Sequence, residues 1–110
     1  MVPLITDNLN AIIDIARAHH VKALYVFGSA TGRGIDGNEF GPDSDVDLLV
    51  EFTDIIYDFE NFDAADNYFD LVEQLETLLG RRVDIINRNT ITRPRFKQFV
   101  EQQKQTIYAA

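Results

Sequence analysis

The chain has 110 residues, about one small domain, and its 45% apolar and 11% aromatic content is enough for one core and too much for a disordered chain. Its 18 acids against 10 Lys and Arg give a net charge of −8, which argues against a simple duplex-binding module, because phosphate backbones demand a cationic excess. Without cysteine there are no disulfides and no thiolate metal sites, so a bound metal must take oxygen or imidazole ligands, and a hard cation is favoured.

Residues 1–7 show no basic patch followed by an apolar run, and no apolar stretch approaches the roughly 18 residues of a membrane span, so a soluble cytoplasmic protein is expected. Leu9, Ile12, Ile13 and Ala16 recur at helical spacing behind the cap candidates Thr6 and Asp7, predicting a first helix over about 7–19. His19 and His20 end it, where the helix dipole favours an imidazole more than a metal does. Residues 23–27 read as a strand. Residues 28–44 hold five of the six glycines and Pro42, which predicts a long loop with at most one helical turn, and long loops in small domains are more often functional than idle.

Residues 46–52 form a second strand whose Leu48, Leu49 and Val50 are too continuously apolar for a one-sided surface strand. After an acidic and aromatic connection over 54–63, Phe69, Leu71, Val72, Leu75, Leu78 and Leu79 mark a helix that Gly80 ends. A short strand follows at 83–86, then a final helix opened by Pro94 with Phe96, Phe99, Val100 and Ile107 on its apolar side. The order α, β, β, α, β, α predicts an α/β (α+β) domain spanning 1–110, a sheet with helices packed on it.

The charge is not evenly spread. Residues 34–80 carry 14 of the 18 acids and no Lys or Arg. Such a block must be solvated, met by a cationic partner or neutralised by divalent ions. Asp43, Asp45 and Asp47 run straight into the second strand, and alternation points Asp45 and Asp47 the same way, roughly 6 to 7 Å apart along the backbone. Unpaired beside Leu48-Leu49-Val50 they would be desolvated and mutually repelled, a conflict that a cation removes. A calcium loop fails twice, since its sixth position is Leu48 rather than Gly and its twelfth is Asp54 rather than Glu. Asp84 interrupts the apolar run Val83-Asp84-Ile85-Ile86. If the two strands are neighbours, Asp45, Asp47 and Asp84 form a three-carboxylate cluster able to hold two Mg²⁺ ions around a nucleoside triphosphate. Gly28 and Ser29, at the end of the first strand, allow close backbone approach and offer N–H groups and a hydroxyl to a phosphate.

In that order, Gly28-Ser29, Asp45-Val46-Asp47-Leu48-Leu49-Val50-Glu51-Phe52 and Arg82-Val83-Asp84-Ile85-Ile86 resemble the polymerase-β-type nucleotidyltransferase superfamily in its minimal (MNT) form. The resemblance spans about residues 20–108. It implies a mixed sheet with the three acids on one face and transfer of a nucleoside monophosphate to a hydroxyl with release of pyrophosphate. Asp45 and Asp47 would bind both metals, Asp84 the catalytic metal while helping to deprotonate the acceptor, and Gly28 and Ser29 the triphosphate. Many members carry an Arg shortly after that Ser, and here Arg33, displaced by about one position, would take that phosphate role. The 15 residues between Ser29 and Asp45 exceed the spacing of many members. Stand-alone minimal members are typically antitoxins of HEPN-domain ribonuclease toxins, and some silence the toxin by adenylylating one of its tyrosines. The resemblance therefore implies ATP as substrate, Mg²⁺ as cofactor and a HEPN protein as partner. The competing expectation is a binding module of the same fold that neutralises a toxin by contact through the aromatic and acidic segment 54–70.

Overall fold

The computed structural model describes residues 1–32 and 40–110. Along the chain lie α1 (Pro3–Thr6), α2 (Leu9–Ala18), β1 (Val21–Phe27), β2 (Val46–Phe52), α3 (Ala64–Leu79), β3 (Val83–Asn87), α4 (Pro94–Gln103) and β4 (Gln105–Ala109), with single 3₁₀ turns at Gly28–Thr31, Asp54–Tyr57 and Arg88–Thr90. The strands make one mixed sheet in the order β3-β2-β1-β4. β1 runs antiparallel to β2 and to β4, while β2 and β3 are parallel, the pairing that requires a crossover such as α3. This is the α/β (α+β) class expected from the sequence.

Strand alternation gives the sheet two unlike faces. Leu24 and Val26 of β1, Val46, Leu48 and Val50 of β2, Val83 and Ile85 of β3 and Ile107 of β4 turn to one side, where Ile5, Ile12, Ala16, Leu71, Leu75 and Leu79 of α1, α2 and α3 close the main core. Leu71, Leu75 and Leu79 are spaced by one helical turn each, and a fully buried Leu contributes about 2 kcal/mol. On the other side Phe27, Leu49 and Val100 form a smaller cluster with Tyr25, Ile86, Ile91 and Phe96, so α4 covers part of that face. The remainder of it is polar. Asp63 caps α3 by accepting from the Asp66 N–H at 2.9 Å, and Gly80 ends it with φ +65°.

Four expectations are corrected. The first helix, expected over about 7–19, is α2 over Leu9–Ala18, but its cap differs: Pro3 starts a separate turn that buries Val2 and Ile5, the Asp7 N–H bonds the Pro3 carbonyl at 2.8 Å, and Asn8, not Thr6 or Asp7, precedes α2. Phe69 does not belong to the buried stripe of α3. It stands two positions before Leu71, about 200° around the helix, and is 67% exposed. Phe99 is likewise exposed on α4. Ile107 is not helical: the chain leaves α4 at Lys104, whose ψ is 141°, and β-branched Thr106 and Ile107 continue as an edge strand beside β1.

Candidate active site

The parallel register sets Asp47 directly beside Asp84, and the antiparallel register sets Phe27 opposite Asp47. The three sequence-predicted acids therefore meet where β1 ends and β2 and β3 begin, all on the face that α4 leaves partly open. Asp45 precedes β2 and is exposed, Asp84 is exposed, and Asp47 is half-buried. The strands hold Asp47 and Asp84 by ladder geometry, with neighbouring strands about 4.8 Å apart.

Gly28 sits against this pair. Its φ is +70°, and a Cβ there would stand 2.7 Å from Asp47 Oδ2, so only glycine lets the strand end pass so close to the carboxylate. The turn that follows is anchored from behind: Thr31 Oγ1 donates to the Gly28 carbonyl at 2.8 Å, and the Val2 N–H to the Ala30 carbonyl at 3.0 Å. Ser29 occupies the second position of that turn and is partly exposed. Gly28 thus lies against the Asp47 carboxylate, and Ser29 follows it in the chain. Arg33 lies outside the described residues.

Burial, and then the charges of Asp84 and Asp45, raise the Asp47 carboxyl from 3.8 to about 6. Near neutral pH most copies are ionised against that opposition, an arrangement a divalent cation would relieve. Among the described residues no group of three His, Asp or Glu side chains is arranged to hold a metal by itself. Mg²⁺ takes oxygen ligands and is commonly held by one or two carboxylates with substrate phosphates and water filling the remaining positions. Asp45, Asp47 and Asp84 suit such a site completed by substrate.

Other side-chain contacts brace the elements that carry the site, without having been legible in the sequence. Arg88 donates Nε to Glu101 Oε1 at 2.6 Å and Nη1 to Glu51 Oε1 at 2.9 Å, and Lys104 bonds Glu101, so one charged cluster ties α4 to β2 and β3. Phe96 of α4 meets Phe27 edge-on, with ring centres 6.4 Å apart, one residue before Gly28. The Tyr68 hydroxyl donates to the Ile85 carbonyl at 2.9 Å, and burial and then Asp84 raise its pKa. His19 does close α2, as expected, and its ring also bonds the Ile15 carbonyl at 2.7 Å and Asp70 at 2.6 Å. Apart from Lys104–Glu101 and His19–Ile15, three and four residues apart, these partners are 13 to 69 positions apart in the chain, and no local motif announces them.

A parallel β2–β3 pair carrying facing carboxylates beside a Gly-Ser turn defines a nucleotidyl-transfer scaffold. The chain belongs to the polymerase beta nucleotidyltransferase family, whose pattern matches residues 10–110. Over 102 residues it is 34% identical to a candidate protein adenylyltransferase of Methanocaldococcus jannaschii, covering 86% of this chain and 92% of that one. It is 39% identical over 71 residues to the protein adenylyltransferase MntA of Thermococcus cleftensis, covering 64% and 60%. A solved minimal nucleotidyltransferase superposes with a TM-score of 0.69 at 28% identity, over 92% of this chain and 90% of the other. The fold also matches, at a TM-score of 0.67 and 23% identity, a chain of a toxin–antitoxin complex solved with AMP-PNP, over 94% and 74%. A complex of a tri-AMPylated Shewanella oneidensis HEPN toxin with its MNT antitoxin gives 0.63 at 20% identity, over 96% and 72%. Among the described residues no helix is long and apolar enough to cross a membrane.

Proposed function

We propose that this chain is a divalent-metal-dependent protein adenylyltransferase, which moves AMP from ATP to a tyrosine hydroxyl on a HEPN-type toxin and so acts as its antitoxin. The observation that carries the reading is the facing pair Asp47 and Asp84, with Asp45 two residues upstream and Gly28 packed against the Asp47 carboxylate. The names of the relatives as protein adenylyltransferases, and the AMP-PNP and HEPN complexes of its fold neighbours, support the substrate and the partner.

In this reading Asp45 and Asp47 would hold Mg²⁺, with Asp84 completing the site for a second ion, and the metal held there would neutralise phosphate charge and polarise the α-phosphorus. Ser29 and the backbone N–H groups of its turn hold the terminal phosphates, with Arg33 in support. Asp84 accepts the proton of the acceptor hydroxyl. The acceptor oxygen then bonds to the α-phosphorus, the bond from that phosphorus to its bridging oxygen breaks, and pyrophosphate departs with the electron pair.

Incubating the purified chain with Mg²⁺, ATP labelled in its adenine and the HEPN-type protein encoded beside it should label that protein, and Asp47→Asn should abolish the labelling. Absence of label with every divalent metal would refute the enzymatic reading. A second reading, neutralisation by contact alone, is favoured by Phe59, Phe69 and Tyr57, which are 82%, 67% and 59% exposed within the acidic block. It predicts that Asp45→Asn/Asp47→Asn still protects cells from the toxin.

A further inference from the structure

We propose that Arg81 is a positioning residue for the carboxylate site: it fixes the approach of the chain to Asp45 and thereby where Asp45 and Asp47 meet substrate. The proposal rests on the functional reading above for the chemistry of that site, but its geometry is separate. Arg81 lies in the link between α3 and β3, immediately after Gly80. Its Nη1 donates to the Gly41 carbonyl at 2.6 Å and to the Ser44 carbonyl at 3.1 Å. The guanidinium also lies over the Phe40 ring, 4.6 Å from its centre, and Phe40 in turn packs against the main core. Residues 41–44 close on themselves as a turn, the Gly41 N–H donating to Ser44 Oγ at 2.8 Å and the Ser44 N–H to the Gly41 carbonyl at 3.2 Å.

The next residue is Asp45, and the one after it begins the β2–β3 ladder, with the Val46 N–H on the Arg82 carbonyl at 2.9 Å. Arg81 and Arg82 thus grip consecutive points of the same approach, one by side chain and one by backbone. Asp45 is exposed and takes no part in either apolar cluster, so its position depends on what holds its neighbours. Arg81 makes no ion pair with a described acid. Its hydrogen bonds go to carbonyl oxygens, so it orients the acids without neutralising them and leaves their charge for a cation. One guanidinium nitrogen bonding two carbonyls while the planar group lies over a ring is a task that lysine performs poorly.

The test compares wild type, Arg81→Ala and Arg81→Lys by amide hydrogen exchange, by Mn²⁺ titration in the presence of AMP-PNP and by transfer kinetics. In Arg81→Ala, exchange at Ser44 should quicken and Mn²⁺ binding weaken, each by about tenfold, as expected for loss of charge-assisted hydrogen bonds. The kcat should fall by about a hundredfold, the cost of a misplaced reacting group, while KM for ATP moves by less than about threefold. Arg81→Lys should fall between the two, and it carries the test if the alanine variant does not fold. Unchanged exchange at Ser44 and an unchanged Mn²⁺ titration in the variants would overturn the role of Arg81. A wild type that binds no Mn²⁺ would overturn the functional reading instead, and the exchange result would still decide whether Arg81 holds the turn.

Discussion

Replacing Asp47 by Asn should make the metal-free protein more stable near neutral pH while destroying its proposed activity. Burial and the neighbouring Asp84 and Asp45 raise the Asp47 carboxyl from 3.8 to about 6, so the folded state binds this proton more tightly than the unfolded chain does. For a raised carboxyl the associated stability is fully present below pH 3.8 and is lost as pH climbs through about 6; above that the ionised group is a standing cost. A shift of that size corresponds to at most about 3 kcal/mol, and for a half-buried group screened by solvent about 2 kcal/mol is the sensible expectation. In a chain of this length that is about 8 °C in Tm. Thermal unfolding from pH 4 to 8 in EDTA, followed by circular dichroism, measures it. Relative to wild type, Asp47→Asn should gain stability progressively between pH 4 and 7 and then level off. Mg²⁺ with ATP should raise the wild-type Tm and leave that of Asp47→Asn nearly unmoved. A pH-independent difference, or an Asn variant less stable than wild type at pH 8, would refute the claim that this carboxylate is held under electrostatic strain.

Gly28→Ala sets a Cβ 2.7 Å from Asp47 Oδ2 at a φ of +70°; a cost of about 1 to 3 kcal/mol in urea unfolding and loss of transfer by at least about a hundredfold are expected. Glu101→Ala, which leaves Arg88 with Glu51 alone and removes the Lys104 ion pair, should cost about 1 to 2 kcal/mol in the same assay and raise hydrogen exchange along α4 first. Phe59→Ser/Phe69→Ser, both at exposed positions, should leave Tm within about 2 °C. If contact through segment 54–70 holds the toxin, the same variant should lose co-purification with it while still binding AMP-PNP.

Where a side chain's fate depended on its own strand or helix, the sequence was a sufficient guide. The alternation of Asp45, Asp47 and Leu49 placed two of the acids on one face before any pairing was known, and the interruption at Asp84 marked the third, which the parallel β2–β3 register then sets beside Asp47. Leu71, Leu75 and Leu79 similarly announced the buried side of α3. Expectations failed where a distant partner decides. Ile107 continues the helical spacing of Phe96 and Val100 on paper, yet the open edge of β1 offers its backbone a ladder and draws it into β4. Phe69 has the hydrophobicity of the stripe and the wrong angle. Arg81 is one of seven basic side chains between residues 81 and 104, and nothing local says that its acceptors lie 40 and 37 positions upstream.

Along one face of β2, every second residue does something different. Asp47 belongs to the carboxylate site, Leu49 to the small core under α4, and Glu51 to the charged cluster around Arg88, while Val46, Leu48 and Val50 fill the main core behind them. A strand used on both sides cannot slide. Deleting one residue within Val46–Phe52 would swing leucines toward the site and aspartate into the apolar interior in a single step, erasing chemistry and fold together. Length changes in this protein should therefore be accepted between its strands and refused inside β2, so that its reactive centre drifts by substitution rather than by insertion or deletion.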